Sequence, residues 1–225
     1  MSEENGGNSS TAERRSDMKT LPWGRGLYLI TPDTHDSETL LARVAEVLPA
    51  RPALLQYRNK LANTSRQHSE ALALRAVCEE FGVPLIINDD WRLALRIGAA
   101  GAHLGEHDGD LRAARAAAPE LILGASCYDD FGAAEIAAAQ GASYVAFGAF
   151  FQTTTKATTR RATPDLLLRS ERLSLPRVAI GGLTPENAGR LVAAGADLLA
   201  VVGAVFDAPN PLVTARQFQA LFETP

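Results

Sequence analysis

The chain has 225 residues, 46% of them hydrophobic, and a formal net charge of −4 at pH 7, which suits one large domain or two small ones with ample apolar material for a core. Its cations are scattered rather than run together, so nucleic acid is not an expected partner and any anionic ligand must be small and bound locally. No stretch approaches the roughly 20 apolar residues that a membrane span needs, and two cysteines, Cys78 and Cys127, outside any C-x-x-C pair, fit a reducing, cytoplasmic setting.

Residues 1–20, "MSEENGGNSSTAERRSDMKT", are polar and low in aromatics, and read as a flexible N-terminal tail. Arg14 and Arg15 suggest twin-arginine export, but no hydrophobic stretch follows them, so that reading fails. The folded part is expected over residues 21–225. From residue 26 a short apolar run, a polar break and an alanine- and leucine-rich amphipathic segment recur in turn. The runs are "GLYLIT" (26–31), "ALLQYR" (53–58), "PLIIND" (84–89), "GAHLG" (101–105), "LILGAS" (121–126), "SYVAFG" (143–148), "RVAIGG" (177–182) and "DLLAVVG" (197–203). Between them fall helix patterns such as "TSRQHSEALALRAVCEEFG" and "PENAGRLVAAGA", with Gly82, Gly98, Gly141 and Gly195 placed as C-terminal stops.

Strands alternating with helices imply right-handed βαβ units and a parallel sheet. Eight units in about 200 residues predict a single-domain (β/α)8 TIM barrel at the small end of its size range. An open doubly wound sheet is the main rival, but it usually carries a glycine-rich first turn. Here that turn is "TPDTHDS", without glycine.

Barrel active sites lie at the carboxyl ends of the strands, and polar residues gather there. Gln56, Arg58 and Lys60 follow the second run at alternate positions, so a strand would aim all three to one side. Asn88 and Asp89 end the third run, Asp108 follows the fourth, and Ser126 ends the fifth. The sixth opens into "FFQTTTKATTRR", which reads either as an ordinary solvated loop or as a lid over phosphorylated substrates. Gly181, Gly182 and Gly203 end the last two runs. They suit a phosphate cradle of backbone N–H groups, or simply tight turns. Thr184 before Pro185 is a plausible cap for the seventh helix.

Asp89 could cap the helix after it. With Asp108 beside it and Arg58 and Lys60 facing it, the pair favours Mg²⁺ shared with a diphosphate, since that ion takes one or two carboxylates and completes its shell with waters and phosphate oxygens. "HLGEH" (103–107) matches a zinc-peptidase pattern, but that pattern needs a helix and neighbouring glycines discourage one. His103 reads as a half-buried strand histidine. Cys127 has no histidine nearby in sequence to activate it.

Taken together, "QYRNK", "NDDWR", "HLGEHDGD", "GASCY", "YVAFGAFFQTTTK", "AIGGLTPENA" and "LLAVVGAVF" resemble the thiamine phosphate synthase family, in order, over residues 26 to about 222. The resemblance implies a transferase that joins an aminopyrimidine methyl diphosphate to a thiazole phosphate, or its carboxylated form, with Mg²⁺. The small phosphorylated substrates are its partners, and a homo-oligomer is compatible with it. It implies that Gln56, Arg58, Lys60, Asn88, Ser126 and Lys156 line the pyrimidine diphosphate site, with Arg58, Lys60, Ser126 and Lys156 serving catalysis. It gives Asp89 and Asp108 as metal ligands, and Thr153, Thr155, Gly182, Val202 and Gly203 as the thiazole phosphate site. Departures from the family pattern are Tyr57 for a common leucine, Ala149 and Gln152 for prolines, and Glu106 for a glutamine. A related thiazole tautomerase uses a histidine just after the fifth-strand serine, where this chain has Cys127 and Tyr128. A non-catalytic barrel that binds thiazole phosphate is the remaining alternative, but it would not need the diphosphate and metal groups retained here.

Overall fold

Short, nearly fully buried runs pair side by side in the order in which the chain makes them. The protein, seen in a computed structural model that describes residues 23–152 and 159–223, forms one closed parallel barrel. Its strands are β1 (Gly26–Ile30), β2 (Leu54–Tyr57), β3 (Leu85–Asn88), β4 (Gly101–Leu104), β5 (Ile122–Tyr128), β6 (Tyr144–Gly148), β7 (Arg177–Ile180) and β8 (Leu198–Val201). β8 pairs back onto β1 with Tyr28 opposite Ala200, so among the described residues no strand presents an unpaired edge. All eight strands fall within the runs expected from sequence, except that β5 continues two residues beyond Ser126.

Helices α1 (Ser37–Val47), α2 (Thr64–Phe81), α3 (Trp91–Ile97), α4 (Leu111–Ala117), α5 (Phe131–Ala139), α6 (Pro164–Arg169) and α7 (Pro185–Ala193) alternate with the strands, and α8 (Gly203–Phe206) and α9 (Pro211–Ala220) follow β8. Their starts are written in side chains that satisfy orphan N–H groups. Asp36, Asn63, Asp90, Asp110, Asp130 and Asn210 all accept from the first turn of the helix they precede. Thr184 caps α7, its N–H donating to Asn187 Oδ1 at 2.9 Å. Gly82 and Gly98 end α2 and α3 in the left-handed conformation, as their positions predict.

Period-2 alternation divides the strand side chains into two layers. Outward residues such as Leu29, Leu55, Ile87, Leu123, Phe147 and Leu199 pack beneath the helices. Inward residues such as Tyr28, Leu54, Ile86, Tyr144, Val178 and Leu198 fill the lumen, with Trp23 packed against them. The amino end of the barrel is further tied by a buried ion pair, Arg177 Nε to Asp197 Oδ2 at 3.3 Å. From α9, Gln219 accepts the Leu27 N–H and donates to the Arg51 carbonyl. The polar loops are thereby left to the carboxyl end.

Candidate active site

β2 ends at Tyr57, so strand alternation does not itself carry Arg58 and Lys60. The loop after β1 holds them instead. Thr31 Oγ1 donates to the Arg58 carbonyl and accepts the Arg58 N–H, both at 2.8 Å. Asp33 pairs with the Arg58 guanidinium at 2.8 Å and accepts the Lys60 N–H at 2.6 Å. Behind them the buried Glu70 of α2 accepts from Ser37 Oγ, Tyr57 OH and Asn59 Nδ2. Burial pushes the Glu70 carboxyl up, but these hydrogen bonds win and hold it below the usual glutamate range. Tyr57 packs outward beneath the helices, and its hydroxyl adds an anchor that leucine could not.

The strand-end aspartates are freed from capping by their neighbours. Asp90, not Asp89, accepts the Leu93 N–H of α3 at 2.8 Å, and Asp110, not Asp108, accepts the Arg112 N–H of α4. Asp89 turns back in a left-handed conformation, φ 66°, with its N–H donated to the His103 carbonyl at 2.8 Å. Asp108 accepts the Gly105 N–H at 2.9 Å. Lys60 Nζ pairs with Asp89 Oδ2, and Asp108 lies within hydrogen-bonding reach of Asp89. Burial first, then Asp89, pushes the Asp108 carboxyl up from its ordinary value. Two carboxylates crowded together with one ammonium between them favour a further cation.

Beside this cluster opens a cavity of about 520 Å³. Gln56, Arg58, Asn88 and Ser126 line one part of it, and Gly182, Val202 and Gly203 another. Lys60, Asp89 and Asp108 are not part of its lining; Asp89 directly follows the lining residue Asn88, and Lys60 and Asp108 adjoin Asp89. Gly181 and Gly182 have φ of 104° and 64°, and a Cβ on Gly182 would lie 2.2 Å from the Gln152 carbonyl oxygen. Only glycine lets the β7 turn pass so close to the loop after β6. Thr153, Thr155 and Lys156 lie outside the described residues. Glu106 accepts from Arg160 Nη2 at 3.4 Å, tying the turn after β4 to the far end of the β6 loop.

Sequence reasoning gave no role to the lumen floor. His103 is buried rather than half-buried, hydrogen-bonded through Nδ1 to Tyr144 OH at 3.0 Å and through Nε2 to Ser126 Oγ at 2.8 Å. Burial pulls its imidazole down to about 4. The "HLGEH" segment is strand and turn, with His107 exposed, so its histidines share no helix face. Just after Ser126 the β5–β6 register shifts, a bulge that brings Tyr128 to the cavity wall while Cys127 stays buried outside the lumen. Burial pushes the Cys127 thiol up to about 12, which leaves it inert as a nucleophile.

A closed parallel barrel with charged groups and glycine turns gathered at the carboxyl ends of its strands defines a (β/α)8-barrel enzyme. The family model for thiamine monophosphate synthase matches residues 27–205. The thiamine-phosphate synthase of Xanthomonas campestris pv. campestris is 55% identical over 206 residues, covering 91% of this chain and 99% of that protein. The one from an Azoarcus species is 56% identical, with 88% and 97% covered. The thiamine phosphate pyrophosphorylase structure from Pyrococcus furiosus superposes with a TM-score of 0.79 at 30% identity, over 88% of this chain and 95% of that one. The chain belongs to the thiamine monophosphate synthase family, and with it to the transferases.

Proposed function

We propose that this barrel mouth joins an aminopyrimidine methyl diphosphate to a thiazole phosphate, releasing diphosphate and thiamine phosphate. The observation that carries the reading is the gathering of Arg58, Lys60, Asp89 and Asp108 on one rim, next to a cavity that reaches Gln56 and Ser126. Diphosphate departs from a carbon whose developing cation the aminopyrimidine delocalises, and the thiazole nitrogen captures that carbon. Arg58 and Lys60, with Lys156 from the β6 loop, meet the negative charge that grows on the leaving group. Gln56, Asn88 and Ser126 hold the pyrimidine. Gly182, Val202 and Gly203, with Thr153 and Thr155, hold the thiazole phosphate through backbone N–H groups and hydroxyls. Holding both halves in line replaces several kcal/mol of barrier. Asp89 and Asp108 have the carboxylate chemistry to bind Mg²⁺, which when bound neutralises diphosphate oxygens. No protein nucleophile is needed.

The deciding experiment mixes purified protein, both half-substrates and Mg²⁺, and follows thiamine phosphate and diphosphate release. Turnover that depends on both halves supports the reading, and folded protein without turnover rejects it. Lys156→Ala should slow turnover far more than it weakens thiazole phosphate binding. Equal losses would move Lys156 off the diphosphate side. The same reading carries the fold as one catalytic domain over residues 21–225, after a tail at 1–20, working on small phosphorylated molecules in the cytoplasm, alone or as a homo-oligomer. Among the described residues no helix is long and apolar enough to cross a membrane.

A further inference from the structure

Five side chains from five strands form an unbroken hydrogen-bonded line through the lumen. Gln56 Nε2 donates to Tyr28 OH at 2.8 Å, Tyr28 OH meets Tyr144 OH at 2.7 Å, Tyr144 OH meets His103 Nδ1 at 3.0 Å, and His103 Nε2 meets Ser126 Oγ at 2.8 Å. The rings that carry it are packed as well as bonded. Tyr144 lies edge-on to Tyr28 and nearly parallel to His103, at centroid distances of 5.8 and 5.6 Å. Both ends of the line, Gln56 and Ser126, reach the cavity.

Each phenol holds one proton, and a neutral imidazole holds one N–H. Those counts give the line a direction. With the Gln56 amide donating, the Tyr28 proton goes to Tyr144 and the Tyr144 proton to His103 Nδ1. The ring N–H is then on Nε2 and goes to Ser126 Oγ. The Ser126 proton is the one the line does not use. Reversal with the amide fixed would leave the Tyr28 oxygen accepting from both Gln56 and Tyr144 and its own proton outside the line; a fully paired reversal requires every proton to move together and the Gln56 amide to flip.

We infer that this line makes His103, Tyr144 and Tyr28 positioning residues for ring recognition: they fix His103 as the Nε2–H tautomer, leave the Ser126 hydroxyl as a donor to the cavity, and hold the Gln56 carbonyl oxygen there as an acceptor. The inference deepens the reading above and rests on it for the identity of the ligand. A 4-aminopyrimidine offers an exocyclic amino donor beside ring-nitrogen acceptors. A pinned amide pairs with the amino donor through its oxygen and with the adjacent ring nitrogen through its remaining N–H. A 4-oxopyrimidine reverses that pattern, carrying a carbonyl beside a ring N–H, and the amide cannot turn to meet it without reversing every proton in the line. Sites built this way reject the mismatched ring because buried polar groups are left unpaired.

Two measurements test it. Long-range nitrogen–proton NMR on the full chain, which has four histidines, should find His103 as the neutral Nε2–H tautomer. The Nδ1–H tautomer would overturn the inference, and this holds whether or not the protein turns over the proposed substrates. If wild-type protein makes thiamine phosphate, Tyr144→Phe, which cuts the line and keeps the ring, should lower kcat/KM for the aminopyrimidine diphosphate by about tenfold, the loss expected of one hydrogen bond. Its KM for thiazole phosphate should stay within about twofold, and its preference for the amino over the oxo ring should fall. Retained preference, or equal losses for both substrates, would overturn it. Should Tyr144→Phe not fold, Tyr28→Phe cuts the same line one bond earlier and is read in the same way. Wild-type protein without turnover rejects the proposed reaction, while the tautomer still decides the line.

Discussion

Glu70 shows how one buried side chain can govern a rim it does not touch. It accepts from Ser37, Tyr57 and Asn59, and Asn59 sits between the two rim cations, Arg58 and Lys60. Because the fold holds this carboxyl below its ordinary value, the unfolded chain takes up a proton first as the solution becomes acidic. The stabilisation is therefore complete above the ordinary glutamate range and drains away as pH falls through the folded value. Glu70→Gln should lower stability by about 2–3 kcal/mol at neutral pH, the worth of hydrogen bonds to a charged group. It should also flatten the pH dependence of the denaturation midpoint below about pH 4.5. Equal slopes for mutant and wild type in chemical denaturation would remove Glu70 from this role.

At the scale of strands and helices, the barrel depends on small residues where large neighbours need room. A Cβ on Gly124 of β5 would lie 2.0 Å from Cζ and 2.3 Å from the hydroxyl of Tyr144. Tyr144 is fully buried and cannot swing away without abandoning both Tyr28 and His103. Gly124→Ala should therefore cost about 1–3 kcal/mol by overpacking, read as a lower thermal midpoint, and should displace the His103 ring resonances. An unchanged midpoint would show that β6 can shift to make room. The elements were legible because each strand is bounded by its own turn chemistry and most helices by a cap, signals that act within a few residues. The lumen line was not, because its members come from β1, β2, β4, β5 and β6, and only barrel closure brings them together. A single tyrosine or histidine in an apolar run looks like core. The available signal was parity: register pairs Asn88 with His103, and His103 with Gly124, so an inward Asn88 implies an inward His103. Rim residues were easier to find, since consecutive strand ends are neighbours in space by topology alone. Even there, alternation gave the wrong cause for Arg58 and Lys60, whose placement is the work of Thr31 and Asp33.

At the scale of the whole molecule, the two ends of the barrel divide the labour. Arg177 and Asp197 bind the amino end, where an unpaired charge would cost several kcal/mol and no ligand is served. The carboxyl end carries ion pairs that are exposed or partly exposed, such as Arg58 with Asp33 and Lys60 with Asp89. Such pairs contribute little to stability and exchange partners readily. The lumen between the ends is filled by apolar side chains with Trp23 packed against them and, above these, by the hydrogen-bonded line from Gln56 to Ser126. Gln56 and Ser126 line the same cavity as Gly182 and Gly203, so whatever settles on one pair shares that space with whatever settles on the other. Sharing makes order matter: the pyrimidine half is expected to bind before the thiazole phosphate, whose early arrival would crowd the space. Initial rates should accordingly show inhibition by excess thiazole phosphate, relieved by raising the pyrimidine diphosphate concentration. Random-order kinetics would mean that the two halves do not obstruct one another.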